Sequence, residues 1–187
     1  MTALVRSERL ELRLPEDGDV PELVRYYREN RDHLQPWSPS FSPEIFTPAY
    51  WTRQVGERRA ELEAGVAVRA FVFLKSDRRR VIGNLSLNQI HRGAAEYCVM
   101  GYSLAAEAQG HGYMLEAVRA AVGYAFGTLR LHRVTANYMP HNVRSAAVLR
   151  RAGFTVEGYA RDYILIDGRW EDHILTAIVN PDWGAGR

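Results

Sequence analysis

The stretch Gln109-Gly110-His111-Gly112-Tyr113-Met114 constrains this chain more than any other. It stands between an apolar strand-like run, Tyr97 to Leu104, and a helix-like run, Met114 to Phe126. Where a strand turns through glycines into a helix, the first helical N–H groups lack intrahelical partners, and the helix dipole adds positive character there. Such a corner holds phosphate. Gly110 and Gly112 carry no Cβ, so the backbone can approach a phosphate closely. A phosphate-bearing cofactor is therefore expected. A dinucleotide fold is disfavoured, because G-x-G-x-x-G is absent and the turn follows antiparallel-looking strands instead of opening a first βαβ unit. No Gly-Lys-Ser/Thr follows, which excludes a Walker loop.

The elements around this corner can be read from periodicity and turn chemistry. Leu10 to Leu14 alternates as a strand. Asp19 is placed to cap a helix from Val20 to Arg31, with Val20, Leu23, Val24 and Tyr27 on one face. Four prolines between Pro36 and Pro48 forbid one regular element and indicate an ordered loop carrying Trp37, Phe41 and Phe46. Thr47 caps a second helix that runs to Glu63, with Pro48 at its first position. Strands follow at Val68–Leu74, Val81–Gln89 and Ala95–Leu104, with a turn over Lys75–Arg80. After the glycine corner and its helix come a strand at Arg133–Tyr138 and a helix at Asn142–Ala152 that stops at Gly153. Tyr159–Ile166 and Trp170–Val179 form a hairpin around Asp167-Gly168, a type I′ signal. The sum is seven strands and four helices in one domain spanning residues 1–187.

Composition removes several function classes. A net charge of +2 on 187 residues gives no bulk attraction to nucleic acid. Lys75 is the only lysine, so the basic groups are almost all planar arginine donors. Cys98 is the only cysteine, which rules out an internal disulfide and a cysteine metal cluster and fits a reducing cytoplasm. Residues 1–14 lack the apolar stretch of a signal peptide, and no apolar run approaches the ~18 residues of a membrane span.

Two spaced motifs then point to a family. Gln109 and Gly112 match Q/R-x-x-G-x-G/A, with Met114 departing at the last position. Asn142 and Ser145 match N-x-x-S/A, and Gly153-Phe154 closes the helix at the usual spacing. In this the chain resembles the GNAT N-acetyltransferases. Arg9-Leu10-x-Leu12-Arg13, Gly101-Tyr102-Ser103, the run from Ala136 to Asn142, Asp162-Tyr163, Asp167-Gly168-x-Trp170-x-Asp172-His173 and Pro181-Asp182-Trp183 look like the RimJ branch, the ribosomal-protein-alanine N-acetyltransferases. The similarity spans essentially residues 5–187. It implies an α/β (α+β) GNAT fold, with a mixed, mostly antiparallel central sheet whose splayed strands form an acetyl-CoA cleft.

The resemblance also implies roles. Backbone groups of Tyr102, Ser103 and Leu104 would pair with the pantetheine arm as an added strand does. Gln109, Gly110, His111, Gly112, Tyr113 and Met114 would hold the pyrophosphate, and the bulk of Met114 would reshape the pocket. Asn142 would bond the pantetheine from the far side, and Asn137 would stand near the thioester. Leu149 occupies the position where many relatives carry a tyrosine acid. That leaves Ser145 either to stabilise the departing thiolate or merely to contact CoA. Glu96, Glu107, Asp162, Asp172 and His173 are the candidates for a base or for holding a cationic amine, with Asp162 and Asp172 on neighbouring strands. His132, His141 and His173 make no metal-ligand pattern, and no metal is expected. Cys98 reads as a buried packing residue. The loop from Trp37 to Trp51 would help form the acceptor cleft.

The implied reaction is direct acetyl transfer, in a ternary complex, from acetyl-CoA to the N-terminal alanine of a small-subunit ribosomal protein. A small-molecule amine acetyltransferase and a catalytically weak ribosome-assembly protein are the alternatives. Arginines at 53, 58 and 59, or at 78–80, are candidates for a local RNA-binding patch. The sequence leaves oligomeric state open.

Overall fold

A computed structural model describes residues 3–184. Eight strands form a single sheet: β1 (Val5–Arg6), β2 (Leu10–Arg13), β3 (Val68–Leu74), β4 (Asp77–His91), β5 (Tyr97–Leu104), β6 (Arg133–Tyr138), β7 (Thr155–Ile166) and β8 (Arg169–Val179). Their spatial order is β1-β2-β3-β4-β5-β6-β8-β7. The helices are α1 (Val20–Glu29), α2 (Arg31–Leu34), α3 (Pro48–Glu63), α4 (Tyr113–Gly127) and α5 (Val143–Ala152). Only β5 and β6 run parallel, as they must when a helix, α4, makes the crossover between them.

Strand alternation divides the helices between the two faces. Tyr102 of β5 bonds Ser145 of α5, whereas the next residue, Ser103, bonds Tyr26 of α1. Successive strand residues point to opposite faces, so α5 and α1 lie on opposite sides of the sheet. α4 packs with α5 on one side. α3 joins α1 on the other, where Trp51 stacks on Tyr27 with ring centroids 5.0 Å apart. Ala117, Ala121 and Ala125 of α4 recur every four residues and are buried, which lets that helix lie close to Cys98, Val134 and Ala136.

Several local expectations hold. Thr47 Oγ1 accepts from Tyr50 N–H at 3.4 Å and caps α3. Gly153 ends α5 at φ 96°. Asp167 and Gly168 both have positive φ, 43° and 79°, as a type I′ hairpin requires.

Other expectations need correction. The described residues form eight strands and five α-helices, against seven and four read from the sequence. β1 is two residues long and α2 a single turn, too short for any periodicity to register. The first helix ends at Glu29 because Asn30 leaves helical geometry. The Asn30 side chain donates to the Tyr26 carbonyl and accepts from Ala106 N–H, both at 2.9 Å, and so ties α1 to the segment before the glycine corner. The turn after β3 is confined to Lys75 and Ser76, so β4 begins at Asp77. β7 begins at Thr155, four residues before the expected Tyr159. The proline-rich loop contains one-turn 3-10 segments at Gln35–Trp37 and Pro43–Phe46.

Asp19 does not cap α1 with its side chain. It is buried against Arg13, which is 1% exposed and donates to both carboxylate oxygens at 2.5 and 2.8 Å. The Arg13 guanidinium also lies 3.8 Å from the Phe73 ring centroid. Removing one member of such a pair strands a buried charge. Asp19→Ala should therefore lower stability by about 3–5 kcal/mol in urea unfolding. A loss below about 1 kcal/mol would show that Arg13 is adequately satisfied by the carbonyls of Leu14 and Arg78 and by Phe73.

Candidate active site

β5 and β6 pair over only three positions, Tyr97↔Arg133, Cys98↔Val134 and Val99↔Thr135. Beyond them each strand keeps its outer neighbour. β5 follows β4 as far as Leu104↔Gly83, and β6 follows β8 as far as Tyr138↔Ile174. The result is a fork open towards Leu104 and Tyr138. Ala105 N–H donates to the Ile82 carbonyl at 2.8 Å, which fixes the alternation along β5. Residues 101, 103 and 105 turn their backbone groups to β4, and Met100, Tyr102 and Leu104 turn theirs into the fork. An extended ligand arm can add there as a strand would.

The glycine corner stands at the wide end of this fork. Gly110 and Gly112 sit at φ 81° and 77°, a conformation that costs other residues and that brings the corner round into α4. Gly112 is the N-cap of α4, so the N–H groups of Tyr113, Met114 and Leu115 have no intrahelical acceptor. His111 Nδ1 donates to the Gln109 carbonyl at 2.8 Å, and its ring stacks on Tyr113. The Met114 side chain is 6% exposed and belongs to the core, leaving its backbone in the corner.

Arg9 braces the corner from the other end of the chain. It donates to the His111 carbonyl at 3.0 Å, to Glu116 Oε2 through Nε at 2.7 Å, and covers the Tyr113 ring at 4.7 Å. Glu116 lies in the first turn of α4, where its charge would compete with a bound phosphate. Partial burial works to raise its pKa, but bonds from Arg9 N–H, Ser7 Oγ and the Arg9 guanidinium outweigh it, and the net shift is downward. Arg9 thus neutralises Glu116 beside the glycine corner and shapes its loop. The sequence showed Arg9 as part of a motif without showing its purpose, because its partners are more than a hundred residues away.

Gln109 is held at both ends. Its Oε1 accepts from Arg144 of α5 at 3.0 Å, and its Nε2 lies 3.0 Å from His33 Nε2. His33 Nε2 is also 3.2 Å from the Leu104 carbonyl. His33 and Arg144 carried no sequence signal, since nothing local distinguishes them from surface residues.

Across the fork, Asn142 Oδ1 accepts from Ser145 N–H at 3.0 Å and caps α5. Its Nδ2 makes no hydrogen bond within the described residues, which leaves a donor for a ligand carbonyl. Ser145 Oγ lies 2.8 Å from the Tyr102 hydroxyl. Burial pushes the Tyr102 phenol up to about 12, so it stays protonated. Leu149 is 1% exposed in the core. The sequence pointed to the backbone of Tyr102; the structure adds its hydroxyl, which reaches Ser145 from β5. Asn137 lies on β6 two residues past the last β5–β6 pair, inside the fork.

The opposite opening is walled by the loop after α2 and by the β7–β8 hairpin. Gln35 Nε2 donates to Asp167 Oδ1 at 2.9 Å, and Asp167 N–H donates to the Ser38 carbonyl at 3.1 Å. Trp37 packs on His141 at 5.6 Å. Asp172 accepts from the Tyr159 hydroxyl and from Asp162 N–H, and these bonds hold its carboxyl below the usual range. Glu96 is tied to Arg92 and Gly93 N–H at the closed end of β5, and Glu107 to Arg80. His173 is buried, with Nδ1 on the Glu171 carbonyl. Burial pushes the Cys98 thiol up to about 12, so no thiolate is available. Among the described residues no group of acids, histidines and cysteines could hold a metal, and no helix is long and apolar enough to cross a membrane.

Comparison with known proteins agrees with this geometry. The chain is 42% identical over 181 residues to the Escherichia coli [ribosomal protein uS5]-alanine N-acetyltransferase, covering 97% of this chain and 93% of that protein. Its fold superposes with a TM-score of 0.90 on the ribosomal-protein-S5-alanine acetyltransferase of Vibrio fischeri, at 37% identity over 95% of this chain and 97% of the other. Mycobacterium smegmatis RimJ, solved in complex with CoA-disulfide, gives a TM-score of 0.86 at 28% identity, covering 94% and 84%. Residues 9–155 match the family model described as acetyltransferase (GNAT) domain. A fork opening onto a helix N-terminus, together with this match over most of the chain, places the protein in the GNAT acetyltransferase family.

Proposed function

We propose that this enzyme transfers the acetyl group of acetyl-CoA to the α-amine of a ribosomal protein that begins with alanine, acting in the cytoplasm. The observation that carries the chemistry is the fork: β5 turns free backbone groups into it, and the unpartnered N–H groups of α4 stand at its mouth. The acceptor rests on the two S5-alanine acetyltransferases to which the chain is similar. Acetyl-CoA supplies the activated acyl group as a thioester.

The residues of the chain divide the remaining work. The backbone from Gln109 to Met114 would bind the diphosphate, and Asn142 Nδ2 with the fork-facing groups of β5 would hold the pantetheine. Leu104 N–H faces the fork and would donate to the acyl oxygen as negative charge grows there. Asn137 would line the fork beside the reacting carbonyl. Ser145 would donate its proton-bearing hydroxyl towards the departing sulfur while accepting from Tyr102, and a donor polarised in this way is stronger than an isolated serine. Asp172 is ionised and would orient the incoming amine more than deprotonate it. An α-amine with pKa about 7.7–8.0 is neutral often enough for water to serve as the proton acceptor.

Incubation with acetyl-CoA and an alanine-starting peptide, followed by mass spectrometry, should show one added acetyl group on the α-amine. Absence of acetylation on that and every other N-terminal peptide would sink the reading. Ser145→Ala should lower kcat about 10–100-fold and Tyr102→Phe about 10-fold, the worth of hydrogen bonds to a charged group. Unchanged kcat with a raised KM for acetyl-CoA would reduce both to cofactor contacts. Arg9→Met should raise the KM for acetyl-CoA about 10-fold, because Glu116 is left as an unneutralised charge at the phosphate corner. Adding Glu116→Gln should recover part of that loss, and no recovery would limit Arg9 to shaping the loop. The kcat/KM on the peptide should rise with pH and level off near the amine pKa of about 8. A second limb near pH 6 would reveal a protein base instead.

A further inference from the structure

On the α1–α3 face of the sheet, opposite the glycine corner, α1, α3, β3 and β4 line an open cavity of about 500 Å³. Arg58 of α3 lines it and is 8% exposed. Its guanidinium lies over Trp51 and Phe71, 5.3 and 4.8 Å from the ring centroids. Its Nη1 donates to the Arg69 carbonyl at 3.1 Å, its one hydrogen bond among the described residues. The buried Nε has no acceptor at all. The other charged groups in the wall, Glu61 and Arg69, pair with each other at 3.1 Å through Glu61 Oε1, while the buried Glu61 Oε2 has no hydrogen-bond partner and its charge acts on Arg58 without a direct bond. Two guanidinium groups against one carboxylate leave the wall one net positive charge. A buried guanidinium is costly without an ionic partner, and burial accordingly lowers the pKa of Arg58. Further donors stand beside it: Asn88 Nδ2 reaches Ser86 Oγ at 2.8 Å, and Asn84 Nδ2 reaches Ser103 Oγ at 2.7 Å.

The position of the cavity relates it to the acceptor. Asn84 and Ser86 are the register partners of Ser103 and Gly101, on the part of β5 that has left β6. Strands lie about 4.8 Å apart, so the gap between β3 and β4 is roughly 10 Å from the fork. An extended peptide advances about 3.3 Å per residue and covers that distance in about three residues. We propose that this cavity is a specificity subsite in which Arg58 receives the carboxylate of an Asp or Glu lying second to fourth in the acceptor chain. The inference rests on the N-terminal acetyltransferase reading above. It gives the buried guanidinium the directly bonded anion that the fold withholds, and it disfavours acceptors with Lys or Arg at the same place.

The test uses the full-length enzyme and alanine-starting peptides in which one Glu, or its isostere Gln, is moved through the second, third and fourth positions. At one position Glu should exceed Gln by about 10-fold in kcat/KM, chiefly through KM, as a charge-assisted hydrogen bond provides. Arg58→Met should abolish that preference and Arg58→Lys should retain part of it. If Arg58→Met does not fold, the wild-type series and Arg58→Lys decide the matter. No preference at any position, a preference that survives Arg58→Met or is undiminished in Arg58→Lys, or a loss shared equally by the Glu and Gln peptides would each overturn the subsite. Turnover of both peptides at equal rates refutes the subsite alone. Binding of acetyl-CoA without turnover of any peptide refutes the acceptor reading beneath it, and the subsite with it.

Discussion

The structure depends on the early parting of β5 and β6. Their parallel ladder lasts three residues, after which the antiparallel partners on either side draw them apart. Backbone groups left open in the middle of a sheet would ordinarily be a fault, because buried amides need partners. Here the open edge is narrow, faces a gap and ends at the free N–H groups of α4. An extended ligand with a diphosphate at one end would satisfy both sets of groups at once.

The rest of the chain can be understood as support for that opening. The N-terminal segment contributes Arg9, which holds the glycine corner and cancels Glu116. Asn30 fastens α1 to the segment just ahead of the corner. Asn142 caps α5 and so places Ser145 opposite Tyr102. The hairpin and the proline-rich loop meet through Gln35, Ser38 and Asp167 and wall the side from which the acceptor would enter. On the proposed reading, cofactor and acceptor would approach from opposite faces of one sheet and meet at the fork. Arg58 lies on the α1–α3 face of the sheet, where the proposed acceptor chain would reach it.

Much of this was legible in the residues. The glycine corner, the α3 cap at Thr47, the Gly153 stop and the Asp167-Gly168 hairpin all rest on local backbone chemistry, which sequence displays directly. β1 and α2 escaped notice because two or four residues carry no periodicity. Asp19 looked like a cap because capping is local, but a buried Arg13 competes for the same carboxylate and wins. Leu149 suggested a missing acid, since helix spacing shows what lies on α5 but not what β5 presents to it.

The sequence by itself determined the order of all the elements but β1 and α2, the glycine corner and the family, since turns, caps and paired motifs are written in neighbouring residues. Tertiary structure alone decided which side chains come together around the fork and the glycine corner. The Tyr102–Ser145 hydroxyl pair, the Arg9–Glu116 brace, the His33–Gln109–Arg144 chain and the unsatisfied Nε of Arg58 each join residues separated in sequence or expose an atom left without an acceptor. The physical reason is that hydrogen bonds and charge act through a few ångströms of space, and the folding of the sheet determines which side chains share it.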